Sequence, residues 1–408
     1  MQNIVSMTQQ TGSVRRVLGA GFLDFLGSGL FLAFSAIYFT RVVGLPAARV
    51  GLGLGIAGLA AIAGLVPAGR VADRFGVRRM LVLLHLVRAG GMAAYAFVHG
   101  WWGFLAAVTV FTVADQSGVA LNQALVAELA GAGRRVRVMA QYRTVVNVAI
   151  GLGAPLGGLL AGTGLYHAII LANAATCVAV AAVLATLPRV GPVRVAERRG
   201  LGALRDRRLL ALAGLDGVLQ LWQPVLNWGF PLWLAGATGL PRGVLGLLYA
   251  INAVLAVVLQ ANVAARAGSS VAAARRAQRF AACFATLGCL LFWAAPHTAA
   301  LPVFCVALVL VTGAELTAVP AAWTLSYAIA PDDRRAEYLA AFGMGRSIGR
   351  FVLGPILITG LLQAIGGWAW GVLAAVFTLA GLAVPRIARD LTLDQAHSDH
   401  ALTRRVIA

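Results

Sequence analysis

Apolar stretches of about twenty residues recur along the whole chain, and each is long enough to cross roughly 30 Å of hydrocarbon as a helix. The chain is 60% hydrophobic and only 12% charged, and its mean hydropathy is +0.84, which excludes an ordinary soluble domain. We therefore predict an all-α membrane protein of about twelve transmembrane helices. The predicted spans are residues 18–40, 51–71, 80–98, 103–129, 138–161, 166–187, 209–235, 244–265, 280–295, 301–329, 338–362 and 367–388.

The arginines predict the orientation of these helices. All 33 basic residues are arginine, and nearly all of them fall in alternate loops. Basic residues mark cytoplasmic loops, so we expect a multi-pass protein of the inner membrane with both termini cytoplasmic. The predicted domains are an N-terminal six-helix bundle at 1–187, a cytoplasmic linker at 188–208, a C-terminal six-helix bundle at 209–388 and a cytoplasmic tail at 389–408.

The two predicted halves share residues at a nearly constant spacing. Pairs that lie 200 residues apart are Asp115 with Glu315, Arg134 with Arg334, and Pro155 with Pro355. Each pair falls at corresponding predicted helices. The spacing therefore predicts two parallel repeats, an arrangement found in secondary transporters.

The loop between the second and third predicted spans carries a motif. Residues 69–79 read Gly-Arg-Val-Ala-Asp-Arg-Phe-Gly-Val-Arg-Arg, which resembles the loop signature of the major facilitator superfamily. The resemblance implies the major facilitator fold, and a loop that latches one conformation on the cytoplasmic side. The gate residues it implies are Gly69, Asp73, Arg74, Gly76, Arg78 and Arg79.

The residues of this loop also have a direct physical interpretation. We expect Gly69 to let helices pack closely and Gly76 to permit a tight turn. Asp73 could cap the next helix or pair with an arginine. The alternative is that the charged cluster only enforces membrane topology.

A second motif lies in the fifth predicted span. Gly151, Pro155 and Gly158 belong to a stretch that resembles the Gly/Pro-rich motif of helix 5 in the exporting, antiporter branches of the superfamily. The resemblance implies export. The alternative is that these small residues serve only helix packing.

Four acidic residues interrupt apolar spans: Asp24, Asp115, Asp216 and Glu315. Each costs roughly 2.5–3.5 kcal/mol at a helix centre, so we expect them to face the protein interior. The resemblance implies that their helices line a central cavity. We predict that one or two of them exchange a proton during transport. The alternative is a set of fixed ion pairs with Arg143, Arg346 and Arg350.

A polar stripe follows Asp216 at helical spacing in the seventh predicted span. With neighbouring aromatic residues it predicts a substrate pocket, made of Phe34, Tyr38, Gln220, Trp222, Gln223, Asn227, Trp228 and Trp323. The acids favour an amphipathic or cationic substrate through charge, and the aromatic residues favour it through cation–π contacts. The intramembrane arginines make an anionic substrate the alternative. Arg88, one turn after His85, is expected to snorkel toward the cytoplasm.

These features predict a secondary active transporter that moves a small organic molecule by alternating access. Proton-coupled export is the first prediction, nutrient uptake is the alternative, and a non-transporting receptor is a further reading. We do not expect an enzyme, because the histidines lack ligand spacing and a chain without lysine has no P-loop. No cofactor and no metal are expected. We also expect no nucleic-acid partner despite the net charge of +19, and a monomer among membrane lipids.

Overall fold

A computed structural model describes residues 2–32, 34–130, 134–188, 202–237, 240–241, 244–297, 300–331 and 334–387. Within these ranges the chain is helical and contains no strand. The predicted tail and residues 189–201 of the predicted linker lie outside the described residues.

Twelve helical segments follow one another in the described ranges. They are α1 (Gln2–Leu32), α2 (Ala47–Phe75), α3 (Val77–Tyr95), α4 (Gly100–Ala130), α5 (Arg135–Ala161), α6 (Tyr166–Ala185), α7 (Arg207–Ala237), α8 (Val244–Ala267), α9 (Val271–Ala294), α10 (Ala300–Ile329), α11 (Arg335–Ser347, continued by Ile348–Leu353 and Gly354–Ile365) and α12 (Trp368–Ile387).

The predicted all-α membrane fold is confirmed. Nine of the described helices are long and apolar enough to cross a membrane, and a bent tenth joins them if its two pieces form one span. The other two segments are α3, which carries three arginines, and α12, whose apolar run Trp368–Val384 is shorter.

Three of the predicted spans depart from a regular α-helix. The first extends back to Gln2 and bends by 46° between Gly12–Leu32 and Ser35–Val42. Pro224 interrupts α7 because it has no amide hydrogen to donate, and the π-helical turn Val225–Gly229 follows it. In α11 the π-helical segment is Ile348–Leu353.

Helix α9 begins nine residues earlier than its predicted start at Phe280. Ser270 is the cause, because its hydroxyl accepts a hydrogen bond from the Ala273 amide at 3.1 Å and so caps the helix. The arginines predicted to lie in a loop here are therefore part of the helix.

The chain divides into two compact units. Unit 1 comprises Met1–Val195 and Leu234–Val254, and unit 2 comprises Ala196–Trp233 and Leu255–Ala408. In unit 1, α1 packs on α5 and α6, and α3 packs on α4 and α6. In unit 2, α9 packs on α10 and α12, and α7 packs on α11. The division at residues 187 and 209 stays a prediction.

The internal repeat is visible in the positions of two arginines. Arg134 stands one residue before α5, and Arg334 stands one residue before α11. Residues 200 positions apart thus begin corresponding helices of the two halves.

Candidate functional site

A buried arginine binds two carboxylates at the centre of unit 1. Arg88, on α3, is 5% exposed. Its Nη1 atom lies 2.9 and 3.1 Å from the two carboxylate oxygens of Asp24 on α1. Its Nη2 atom lies 3.1 Å from Oδ1 of Asp115 on α4, whose side chain is 32% exposed. Gln116 also donates a hydrogen bond to Asp115. One guanidinium therefore joins three helices.

The prediction that Arg88 snorkels is wrong. Its side chain lies on the buried face of α3 together with Leu81 and Leu84, and its guanidinium lies 5.8 Å from the centroid of the Phe111 ring. A charge is tolerated there because two carboxylates pair with it. The spacing of three and four residues from Leu81 through Leu84 to Arg88 is the sequence signal for this face.

Arg143 does not take the role predicted for it. Its side chain on α5 is exposed, whereas the preceding Tyr142 is buried. Successive side chains on a helix point about 100° apart, so Tyr142 faces the core and Arg143 faces away. Asp115 pairs with Arg88 instead.

Unit 2 contains a second buried ion pair, of the kind that was the alternative to proton exchange. Asp216 on α7 is fully buried, and its Oδ2 accepts a hydrogen bond from Nε of Arg346 on α11 at 3.1 Å. Its Oδ1 accepts a hydrogen bond from Gln220 at 3.2 Å. The Arg346 guanidinium also lies 5.4 Å from the ring centroid of Trp323. The pair is therefore held by groups on three helices.

A second guanidinium lies one turn further along α11. Arg350 donates a hydrogen bond to Gln223 and lies 5.6 Å from the ring centroid of Trp222. It is within electrostatic reach of both Glu315 and Asp216. The predicted partners Arg346 and Arg350 thus lie beside the acids of unit 2.

The other predicted pocket residues fall into two groups. Trp323 is 44% exposed, and Asn227 and Trp228 are half-buried in the π-helical turn of α7. Four predicted pocket residues are instead buried: Phe34 and Tyr38 in unit 1, and Gln220 and Trp222 in unit 2. This placement is a correction, because none of the four offers a surface to a substrate in this structure.

An aromatic cluster in unit 1 accounts for the burial of Phe34 and Tyr38. Phe34 packs against Tyr166 with ring centroids 5.5 Å apart. The Tyr38 hydroxyl donates a hydrogen bond to the Tyr95 carbonyl oxygen at 2.8 Å. Both side chains therefore belong to the packed core around the bend of α1.

The loop between α2 and α3 matches the predicted turn but not all of its predicted contacts. Gly76 has φ +88°, a backbone conformation that favours glycine. Gly69 lies at no close helix approach, since a Cβ there would meet nothing within 4 Å. Asp73 is exposed and does not cap α3, whose N-cap residue is Gly76. The predicted roles of Gly69 and of Asp73 as a cap are therefore wrong.

The arginines of this loop have different surroundings. Arg74 and Arg79 are exposed, and the Arg74 guanidinium lies 5.6 Å from the Phe75 ring centroid. Arg78 donates hydrogen bonds to the carbonyl oxygens of Ala185 and Leu187 at the end of α6. A cation at that position complements the negative end of the helix dipole. A gating role for the loop stays a prediction.

The fifth-helix motif packs closely on two neighbours within unit 1. A Cβ at Gly153 would overlap the Leu26 carbonyl oxygen of α1, and one at Gly157 would overlap that of Leu30. On another side, a Cβ at Gly158 would overlap the backbone of Gly246 in α8. Gly151 and Pro155 also face α8, through Ala253 and Gly246. Close packing of α5 against α1 and α8 therefore explains why small residues occupy these positions.

Among the described residues, no group of three or more His, Cys, Asp or Glu side chains could hold a metal ion. The two clusters described above consist of carboxylates and guanidinium groups. Such groups can bind a proton or a charged ligand.

Comparisons with known proteins agree with this architecture. The family model described as "Major Facilitator Superfamily" matches residues 17–353. A relative named multidrug resistance protein MdtH, from Edwardsiella ictaluri, is 28% identical over 349 residues, which is 84% of this chain and 83% of the relative. An MdtH protein from Klebsiella pneumoniae is 30% identical over 241 residues, and the matched part spans 58% of its length.

Solved transporter structures show the same fold. The nucleoside transporter NupG aligns with a TM-score of 0.74 over 93% of this chain and 98% of its own, at 14% identity. A D-xylose-proton symporter aligns with a TM-score of 0.72 over 92% of this chain and 97% of its own, at 16% identity. At such identities the likeness concerns the fold alone.

Proposed function

This chain belongs to the major facilitator superfamily, and on that premise we propose that it exports small amphipathic organic molecules across the inner membrane in exchange for protons. The observation that carries this proposal is the sharing of Arg88 between Asp24 and Asp115. Two carboxylates against one guanidinium leave a negative charge within the bundle. Such a charge is costly in a low-dielectric interior, so it favours binding of a proton or a cation.

Competition for that charge provides a mechanism of exchange. A proton that binds the cluster removes the negative charge that attracts a cationic ligand, and a bound ligand removes the charge that attracts the proton. The 32% exposure of the Asp115 side chain gives one carboxylate of the cluster access to such a ligand. Each partner then promotes release of the other, which is the linkage that an antiporter requires.

Three observations support export of amphipathic compounds. Relatives with 28–30% identity bear the name multidrug resistance protein. The exposed indole of Trp323 offers an aromatic face in unit 2, and aromatic faces bind both apolar groups and organic cations. The proposed orientation, with both termini cytoplasmic, rests on the arginine-rich loops.

Transport in proteoliposomes tests the proposal. The probe is tetraphenylphosphonium, a lipophilic cation, and the driving force is an imposed pH gradient. We expect gradient-driven efflux by the wild-type protein and its loss in Asp24→Asn and Asp115→Asn. Glu128→Gln is the matched control, because Glu128 is an exposed acid on the same helix as Asp115.

Two outcomes would contradict the proposal. Retention of gradient-driven efflux by Asp24→Asn, Asp115→Asn, Asp216→Asn and Glu315→Gln would exclude proton coupling through these acids. Movement of the probe in the same direction as the proton would support the alternative of uptake.

A further inference from the structure

His85 is a buried imidazole that the proposed exchange does not yet use. It lies on α3 and is 1% exposed. Its Nδ1 atom lies 2.8 Å from the Leu81 carbonyl oxygen. A carbonyl oxygen only accepts hydrogen bonds, so Nδ1 carries the hydrogen. This contact assigns the ring tautomer: in a neutral His85, Nε2 is the unprotonated nitrogen.

That second nitrogen faces a carboxylate. His85 Nε2 lies 3.5 Å from Oδ2 of Asp24 and has no hydrogen-bond donor or acceptor partner in the described part of the chain. An unprotonated Nε2 would place its lone pair opposite the lone pairs of Asp24, and both groups are buried. A proton on Nε2 converts this repulsion into an ion pair.

The charges around His85 sum to a value that one additional proton would neutralise. The titratable and charged groups that the neighbouring helices contribute are Asp24 of α1, Arg88 of α3, Asp115 of α4, Tyr142 of α5 and Cys177 of α6. Phenol and thiol groups are uncharged at neutral pH. Two carboxylates and one guanidinium then sum to one negative charge, and a protonated His85 makes the sum zero.

A small cavity lies beside His85 and Asp24. Asp24, His85, Asn122 and Tyr142 are among the residues that line it, and it has room for about one water molecule. The polar groups in this lining are of the kind that a buried water needs as partners.

We propose that His85 and Asp24 form a proton-binding site, in which one exchangeable proton resides on His85 Nε2 opposite the Asp24 carboxylate. The inference rests on the proposed function and deepens it, since it assigns the transported proton to an imidazole rather than to a carboxylic acid. Loading forms the Nε2–H bond with a proton taken from water, and release returns that proton to water. Release leaves the negative charge of the cluster free to attract a cationic substrate.

Nuclear magnetic resonance of the full chain tests the site without any substrate. The protein is labelled with ¹⁵N-histidine in lipid nanodiscs, and the His85 signals are those missing from His85→Gln. We expect both ring nitrogens of His85 to be protonated at pH 7.5 in the wild-type protein. In Asp24→Asn we expect a shift to the neutral ring protonated at Nδ1. A neutral His85 in the wild-type protein at this pH would overturn the inference, whether or not export occurs.

Transport provides a second test that separates this inference from the proposed function. In His85→Gln, we expect loss of the acceleration that a pH gradient gives to tetraphenylphosphonium efflux. His99→Gln is the control, because His99 is exposed in the turn before α4. If the wild-type protein does not move the probe, the proposed function fails. If it does and His85→Gln keeps the full gradient dependence, only the assignment to His85 fails.

Discussion

Arg346 Nε lies 3.1 Å from a carboxylate oxygen of Asp216, and this aspartate is completely buried. Removal of one partner from such a pair leaves an uncompensated charge, which costs about 3–5 kcal/mol. We therefore expect Arg346→Met to lower the thermal stability of the detergent-solubilised protein by several degrees or to abolish its accumulation.

A double variant and a matched control test whether the loss of stability comes from the unpaired charge of Asp216. The combination of Arg346→Met with Asp216→Leu removes both charges, so we expect it to recover most of the lost stability. Arg276→Met removes an exposed arginine of α9, and we expect it to leave the thermal stability unchanged. A double variant no more stable than Arg346→Met would refute the account of the pair.

The second prediction concerns the close approach of α5 to α1 at Gly157. A Cβ at Gly157 would overlap the Leu30 carbonyl oxygen, which is backbone and does not move easily. We expect Gly157→Ala to cost about 1–3 kcal/mol through overpacking. Gly90→Ala is the control, because a Cβ at the exposed Gly90 meets nothing within 4 Å. Equal melting temperatures for the two variants would contradict the close approach of α5 and α1.

The N-cap of α7 makes a third prediction, which depends on pH. Partial burial acts to raise the pKa of Asp206. Hydrogen bonds from the Leu209 amide, the Tyr338 hydroxyl and the Arg208 amide outweigh it and hold that pKa below its usual 3.8. Because the folded-state pKa is depressed, the stabilisation is present above the unfolded pKa of about 3.9. It is lost as the pH falls through the folded-state pKa.

Thermal unfolding of Asp206→Ala across pH measures this effect. At pH 7 we expect the variant to be less stable by about 1 kcal/mol, the usual contribution of an N-cap. The difference in unfolding free energy between the variant and the wild-type protein should become smaller as the pH falls below about 4. Asp73→Ala is the control, because Asp73 is exposed and caps no helix. If the stability difference between Asp206→Ala and the wild-type protein grew as the pH fell, the pKa of Asp206 would be raised rather than lowered in the folded protein.

The fold and the positions of the acids could be predicted from sequence because they follow from the cost of charge in a bilayer. A carboxylate inside an apolar span must find a partner, and Asp24 and Asp216 do so within their own units. That each acid needs a partner follows from hydropathy alone. The choice of Arg346 for Asp216 was not predicted, because it depends on how α7 and α11 pack.

The identity of the partner in unit 1 was not predicted, because it depends on helical phase rather than composition. Arg88 lies on a helix whose first turn carries Arg78 and Arg79, which suggested snorkelling toward that end, yet its phase matches that of buried Leu81 and Leu84. The breaks were also missed. Pro224 is visible in the sequence, but the π-helical turn that follows it depends on how the neighbouring helices satisfy the backbone.

Simultaneous measurement of probe and proton fluxes in wild-type proteoliposomes is the most direct test of proton-coupled export. With a pH gradient imposed, proton-coupled export predicts that tetraphenylphosphonium and protons move in opposite directions. It also predicts that collapse of the gradient with a protonophore stops net movement of the probe. Probe movement that continues unchanged without the gradient, or that carries no opposing proton flux, would contradict it.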